Sequence, residues 1–237
     1  MTQPTEPPRR FYKAVRIEAG DGYAILLDGR RTRTPAGAPL RLPTEPLAKM
    51  LAAEWERQGE HIRTADMPAA RLAFTALDRV SETREAVCKE VARYAGSDLL
   101  CYFADHPRAL VARQQQAWGP LLDWARDELA LHLVRTVGVS PVEQPAESLL
   151  RVARWAGALD DFALAGLAHA TALLGSAVLA FALQRGRLDG EGAFSLSQID
   201  ETFQAEQWGV DAEAAARARA LHAETLMLDA WFRSLGA

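Results

Sequence analysis

Apolar and polar positions alternate at the start of the chain and settle into a helical period further on. Phe11, Val15 and Ile17 alternate in part, Gly20-Asp21-Gly22 interrupts them, and the apolar stretch Tyr23 to Leu27 follows. This pattern predicts two strands about a glycine-rich turn, with Asp28-Gly29 as a second turn. Thr32 to Leu42 carries Pro35, Gly37 and Pro39, which permits short extended pieces but no regular central strand. Leu47, Leu51 and Trp55 then recur at i, i+4 and i+8, predicting a helix over 44–57 that packs on the β unit. Thr44 is placed to cap it, and Pro46 falls in its first turn.

Past Pro68 the period is helical almost throughout. Leu72, Leu77 and Val80 form one stripe, and Val87, Val91 and Leu99 form another after a break near Ser81. A long helix is predicted over 108–131, with Leu110, Leu121, Trp124, Ala125 and Leu129 on its apolar face and Pro120 kinking or dividing it. Residues 134–145 read as a connector with a short extended piece, after which Leu149, Val152, Ala153 and Ala156 resume the stripe. From Asp161 a single long neutral helix is predicted, because the 22 residues Phe162 to Leu183 hold no Asp, Glu, Lys or Arg. That length would reach across a bilayer. Its small residues, its His169, Thr171 and Ser176, and the lack of flanking aromatic belts favour a post buried among other helices. Ser195 with Gln198 reads as a capping box for a helix of Leu196, Ile199 and Phe203 that ends near Trp208-Gly209. A last helix over 211–233 carries Leu221, Leu228 and Trp231.

The architecture implied is α+β, a small N-terminal β-containing domain followed by a larger, mainly α-helical one. Residues 1–9 read as a disordered leader, 10–65 as the β-rich domain with its packed helix, and 66–237 as the helical domain. Composition agrees, since 49% hydrophobic and 24% charged residues in 237 describe a soluble globular chain. The 31 acidic and 27 basic residues give a net charge of -4, which supplies no general field for holding nucleic acid. Cys88 and Cys101 fit neither a disulfide framework nor a zinc site, and a reducing compartment suits them. No apolar secretory run opens the chain, so bacterial cytoplasm is the expected location, or mitochondrial matrix if a targeting segment has been removed.

Individual chemical candidates are weak. Gly20-Asp21-Gly22 precedes a strand rather than opening a helix, so it lacks the context of a phosphate-binding loop. Asp105-His106, His222 with Glu224, and the two cysteines lack the spacing of a catalytic or metal-binding group. Trp118, Trp124, Arg30, Arg31 and Arg33 read as packing and turn residues rather than a nucleic-acid platform. His169 is a packing histidine whose ring needs a polar partner. Neither cofactor nor metal is expected.

The charge distribution says more. Residues 191–237 hold eight acids and three arginines, a net of -5 against +1 for the rest. Asp200, Glu201, Gln204, Glu206 and Gln207 share a helix with apolar Ile199 and Phe203, an arrangement able to dock on a protein with a basic complement.

Several segments are more distinctive than their chemistry. RFYKAV at Arg10 to Val15, LDGRRTRTPAGAPLRLPT at Leu27 to Thr44, AAEWERQGEHI at Ala52 to Ile62 and MPAARLAFTALD at Met67 to Asp78 come first. DLLCYFADHP at Asp98 to Pro107, LVARQQQAWGPLLDWA at Leu110 to Ala125 and FQAEQWG at Phe203 to Gly209 follow. In this order the chain resembles the ATP synthase assembly chaperones that hold the alpha subunit of the catalytic head before it pairs with beta. The resemblance implies a non-catalytic protein that shields the beta-facing surface of unassembled alpha. It implies a functional glutamate in the acidic-aromatic segment, matched here by Glu201, with Glu206 as second candidate and Asp200 and Gln204 in the same patch. Phe103, Gly119 and Phe74 depart from the family, which more often has arginine, an acid and asparagine there, so a salt bridge between the first two regions is not carried over. Two other readings stand beside it: a small-molecule enzyme or ligand-binding protein with a pocket between the domains near His169, and a helical adaptor for a different protein.

Overall fold

The hairpin about Gly20-Asp21-Gly22 is the first element. In a computed structural model of the protein, which describes residues 7–209 and 211–236, β1 (Val15–Gly20) lies antiparallel to β2 (Gly22–Leu27), with Val15 opposite Leu27 and Ile17 opposite Ile25. Gly22 has φ +82, and a Cβ there would stand 2.8 Å from the carbonyl oxygen of Leu42, so the turn requires glycine on both counts. β3 (Arg30–Arg31) and β4 (Arg41–Leu42) pair antiparallel with opposite ends of β2. The expected disordered leader falls largely on residues 1–6, outside the described residues. Within its remainder, Ile62 N–H donates to Pro8 C=O at 2.8 Å and Arg9 bridges His61.

The sheet buries Ile25, Leu27 and Leu42 against α1 (Glu45–Glu56), whose Leu47, Ala48 and Leu51 face it. Thr44 caps this helix, its hydroxyl oxygen accepting from Leu47 N–H at 3.3 Å while its O–H donates to Ser234 C=O at 2.6 Å. One side chain thus starts a helix and ties the β unit to the far end of the chain. Buried Glu54 does similar work, its carboxylate accepting from Ala69 N–H at 2.9 Å and Ala70 N–H at 2.8 Å in the first turn of α2 (Pro68–Thr75). A helix N-terminus favours a negative charge, although burial still pushes the Glu54 carboxyl up.

A π-helical turn, Ala76–Val80, carries α2 into α3 (Ser81–Ala95), and the break expected near Ser81 is present as the non-helical Thr83 (φ -120, ψ 23). β5 (Tyr102–Phe103) follows a short 3₁₀ turn at Leu99–Cys101. α4 (Arg108–Leu129) is continuous through Pro120, so of the kink or division expected there the division does not occur. Pro120 lies on the exposed face of α4, where its ring is solvated and the carbonyl it leaves unpaired can reach water. The extended piece in the connector is β6 (Thr136–Val137), parallel to β5.

α5 (Ala146–Gly157) precedes the neutral segment, which is two helices rather than one: α6 (Asp161–Leu174) and α7 (Ala177–Gln184). Gly175 at φ +66 ends the first, and the Ser176 hydroxyl caps the second by accepting from Leu179 N–H at 3.0 Å. Fully buried Asp98 fills the joint, accepting from Ser176 O–H at 2.7 Å, Val178 N–H at 3.1 Å and Leu100 N–H at 3.1 Å. Ser195 is no cap either, since it lies inside α8 (Gly190–Ser197), which Asp189 starts by accepting from Gly192 N–H at 2.8 Å. α9 (Ile199–Trp208) and α10 (Ala212–Leu235) complete the chain.

The hydrophobic core runs as one cluster from Tyr12 and Ile25 in the β unit through α1 to α10, with Trp118, Trp231 and Phe181 among its largest fully buried side chains. Burial of the neutral segment is one-sided in α6, where Ala172 is exposed and Ala168, His169 and Leu173 are half-buried. Among the described residues no helix is long and apolar enough to cross a membrane.

Candidate functional site

α9 begins without a side-chain cap and meets the body chiefly through α4. Ile199 and Phe203 bury its apolar stripe, and the polar residues beside that stripe lock it down. Arg113 of α4 donates two parallel hydrogen bonds to Glu206, at 2.9 and 2.8 Å, with its guanidinium 5.2 Å from the Phe203 ring centroid. These bonds hold the Glu206 carboxyl below the usual carboxylate range. Asp200 accepts from the Nε2 of Gln114 at 2.6 Å, and the Oε1 of Gln114, fully buried, accepts from Ala104 N–H at 2.8 Å.

Helical geometry therefore splits the four predicted residues. Asp200 and Glu206 flank Phe203 and face α4. Glu201 and Gln204 lie on the other side with Ala205 and Trp208, a spacing of 0, 3, 4 and 7 that gathers them on one face. That face borders an open groove of about 930 Å³ between α9 and α10, floored by Leu173 of α6 and Phe194 of α8. Leu221 and Glu224 of α10 close its far wall. Trp208, 79% exposed, stands at its rim.

Trp208 is the residue that the charge pattern missed. Its signal was present in the sequence: the apolar stripe of α9 runs through Ile199 and Phe203, and residue 208 falls off it. A large indole left in water beside an apolar groove is the kind of side chain that anchors protein interfaces.

The remaining candidates resolve into structure. His169 joins Glu224 at 2.8 Å, and His222 joins Glu191 at 2.9 Å, so His222 and Glu224 point to different partners. Much of the C-terminal acidity is internally paired in this way, with Asp229 also taken by Gly190 N–H and Arg233. Asp105 and His106 contact each other at 2.5 Å on the surface. Arg31 pairs with Glu18, and Arg33 donates to Gly37 C=O at 2.7 Å. Both cysteines are buried and free, and burial raises both thiols above their ordinary range. Where a salt bridge could not be carried over, Phe103 packs edge to face on Trp118 with centroids 5.6 Å apart. Among the described residues no cluster of three or more His, Cys, Asp or Glu could hold a metal ion.

The groove is acidic and aromatic, its helix is braced from behind, and the chain is of the class built on a small β lobe and a helical body. Comparison with known proteins specifies the family. The family model described as ATP12 chaperone protein matches residues 9–126. The crystal structure of Atp12 from Paracoccus denitrificans superposes with a TM-score of 0.89 at 43% identity, covering 95% of this chain and 97% of that one. The Atu1473 protein of Agrobacterium tumefaciens does so with a TM-score of 0.89 at 41% identity, covering 96% and 86%. Among curated proteins, the mitochondrial protein atp12 of Schizosaccharomyces pombe is 26% identical over 215 residues, 85% of this chain and 74% of the relative. The chain belongs to the ATP12 chaperone family, assembly factors that bind the alpha subunit of ATP synthase. Its relatives are bacterial and mitochondrial.

Proposed function

We propose that unassembled alpha docks on the groove between α9 and α10, with Glu201 and Gln204 orienting a basic and polar complement and Trp208 seated against an apolar patch. Asp200 and Glu206 act from behind by holding α9 on α4. The observation that carries this reading is the bracing itself. The Arg113–Glu206 and Gln114–Asp200 bonds fix the helix on one side while Glu201, Gln204 and Trp208 remain open on the other. A surface held in place before contact loses less entropy on binding.

Covering the beta-facing surface of alpha in this way keeps an apolar face from off-pathway association until beta displaces the chaperone. The higher identity to bacterial relatives supports action in bacterial cytoplasm. The test is the affinity of Glu201→Lys for isolated alpha, with circular dichroism and melting as folding checks. Loss of binding by a folded variant is expected. Unchanged binding and unchanged head assembly would remove Glu201 from the interface.

A further inference from the structure

The groove at α9 does not stop at α10. Glu224 lines it and also lines a second trough of about 540 Å³ on the neighbouring surface. Ala165, Ala168 and Ala172 of α6 floor that trough, and Arg71, Thr75 and Arg79 wall it. Those three wall residues stand at i, i+4 and i+8 along α2 and the π-helical turn, so they form one exposed stripe. Neither guanidinium holds an ion pair among the described residues, although Arg71 is near enough to buried Glu54 to favour its charged form.

The two depressions therefore share one wall and have opposite electrostatic ends. Glu201, Asp211 and Arg217 border the first, with Arg217 paired to Glu213 of its own helix, and Arg71 and Arg79 border the second. Between them runs the open face of α6, carrying Leu173, Ala172, His169 and Ala168, with the His169–Glu224 bond bridging α6 to α10 at the boundary. Alanines along a groove floor let an incoming backbone approach closely, and the apolar area between the charged ends rewards burial rather than solvation. Arginines left unpaired over such a floor are suited to carboxylates.

We propose that a single amphipathic segment of the client lies along both depressions, its basic end at Glu201, its apolar side on the α6 face, and its acidic end between Arg71 and Arg79. This rests on docking of alpha at α9 and α10, and it adds a polarity and a length to that contact. The π-helical turn then has a use, because it sets Arg79 in register with Arg71 at the rim.

The experiment compares Arg71→Gln/Arg79→Glu, Glu201→Lys and the unaltered protein in titrations with isolated alpha at low and high salt. Glutamine at 71 avoids placing a negative charge near Glu54. Binding by the double variant is expected to weaken roughly tenfold at low salt and less at high salt, with unchanged melting, as for rim charges at a complementary interface. Should the double variant melt early, Arg79→Glu alone carries the same expectation at about two thirds of the logarithmic effect. Binding within twofold of normal for a folded arginine variant, while Glu201→Lys binds poorly, would overturn the extended contact and leave the α9 groove standing. Normal binding by both would overturn the underlying reading as well. Sedimentation that finds a self-associated chain dispersed by the arginine changes, with alpha binding intact, would assign the second trough to another copy of this chain and refute the proposal.

Discussion

Replacing Asp98 by alanine removes the acceptor that closes the joint between α6 and α7. Its carboxylate is fully buried and receives the N–H groups of Leu100 and Val178 and the hydroxyl of Ser176. Leaving three buried donors unpaired costs about 1–3 kcal/mol each before relaxation. Opposing this, burial pushes the Asp98 carboxyl up to about 6, against the hydrogen bonds that favour its charge. Relief of that buried charge at neutral pH returns roughly 3 kcal/mol. The net expectation for Asp98→Ala is a loss of about 3 kcal/mol at pH 7.5.

The sign of the pH dependence follows from the direction of the shift. Between the unfolded value near 3.8 and the folded value of about 6, the native state binds more protons than the unfolded one. The contribution of this group is therefore complete below the unfolded value and is lost as pH rises through 6. Urea unfolding at pH 4.8 and 7.5 reads it, and the gap between normal protein and variant should be about 1.5 kcal/mol larger at the lower pH. A variant within 0.5 kcal/mol of normal (a threshold of roughly the error in such data), or a gap that narrows on acidification, would refute the reasoning.

Three further substitutions probe packing and docking separately. A Cβ at Gly166 of α6 would stand 2.9 Å from Trp231 Nε1 and 2.9 Å from Phe232 Cε1. Both rings are buried, so Gly166→Ala should destabilise by about 1–2 kcal/mol despite the gain in helix propensity, and equal or higher denaturant resistance would contradict this. Pro120→Ala supplies the missing N–H inside α4 and should stabilise by about 1–2 kcal/mol after the lost rigidity of proline is counted; calorimetry showing no rise in melting temperature would argue against it. Trp208→Ala should leave stability within about 0.5 kcal/mol yet weaken alpha binding about tenfold or more, and retained affinity in a titration would remove the indole from the interface.

Much of the fold is legible because local chemistry and tertiary packing agree. Thr44, Pro46 and the 47–51–55 stripe define α1, and Gly20-Asp21-Gly22 defines the hairpin. The misreadings lie where one local signal overrode another. A long neutral run obscured the Gly175-Ser176 pair, although glycine followed by serine is a stop and start for helices. Ser195 and Gln198 matched a capping pattern, but Asp189 had already started α8 and kept residue 195 helical. Pro120 looked like a break because sequence alone does not show which face of α4 is solvated.

At the site, the acidic segment was legible, and its division into two faces was not. Composition counts Asp200, Glu201 and Glu206 alike, whereas only tertiary contact shows Arg113 and Gln114 engaging two of them. The buried joint at Asp98 was not legible, because only its turn-capping bond to Leu100 is local and its other partners, Ser176 and Val178, lie about eighty residues away.

Hydrogen–deuterium exchange of the chain alone and in complex with isolated alpha tests the central claim most directly. Docking at the groove predicts slowed exchange over 199–209 and along the 212–224 part of α10 when alpha is bound. A stable complex in which both segments exchange as they do in the free protein, with protection confined to other surfaces, would contradict it.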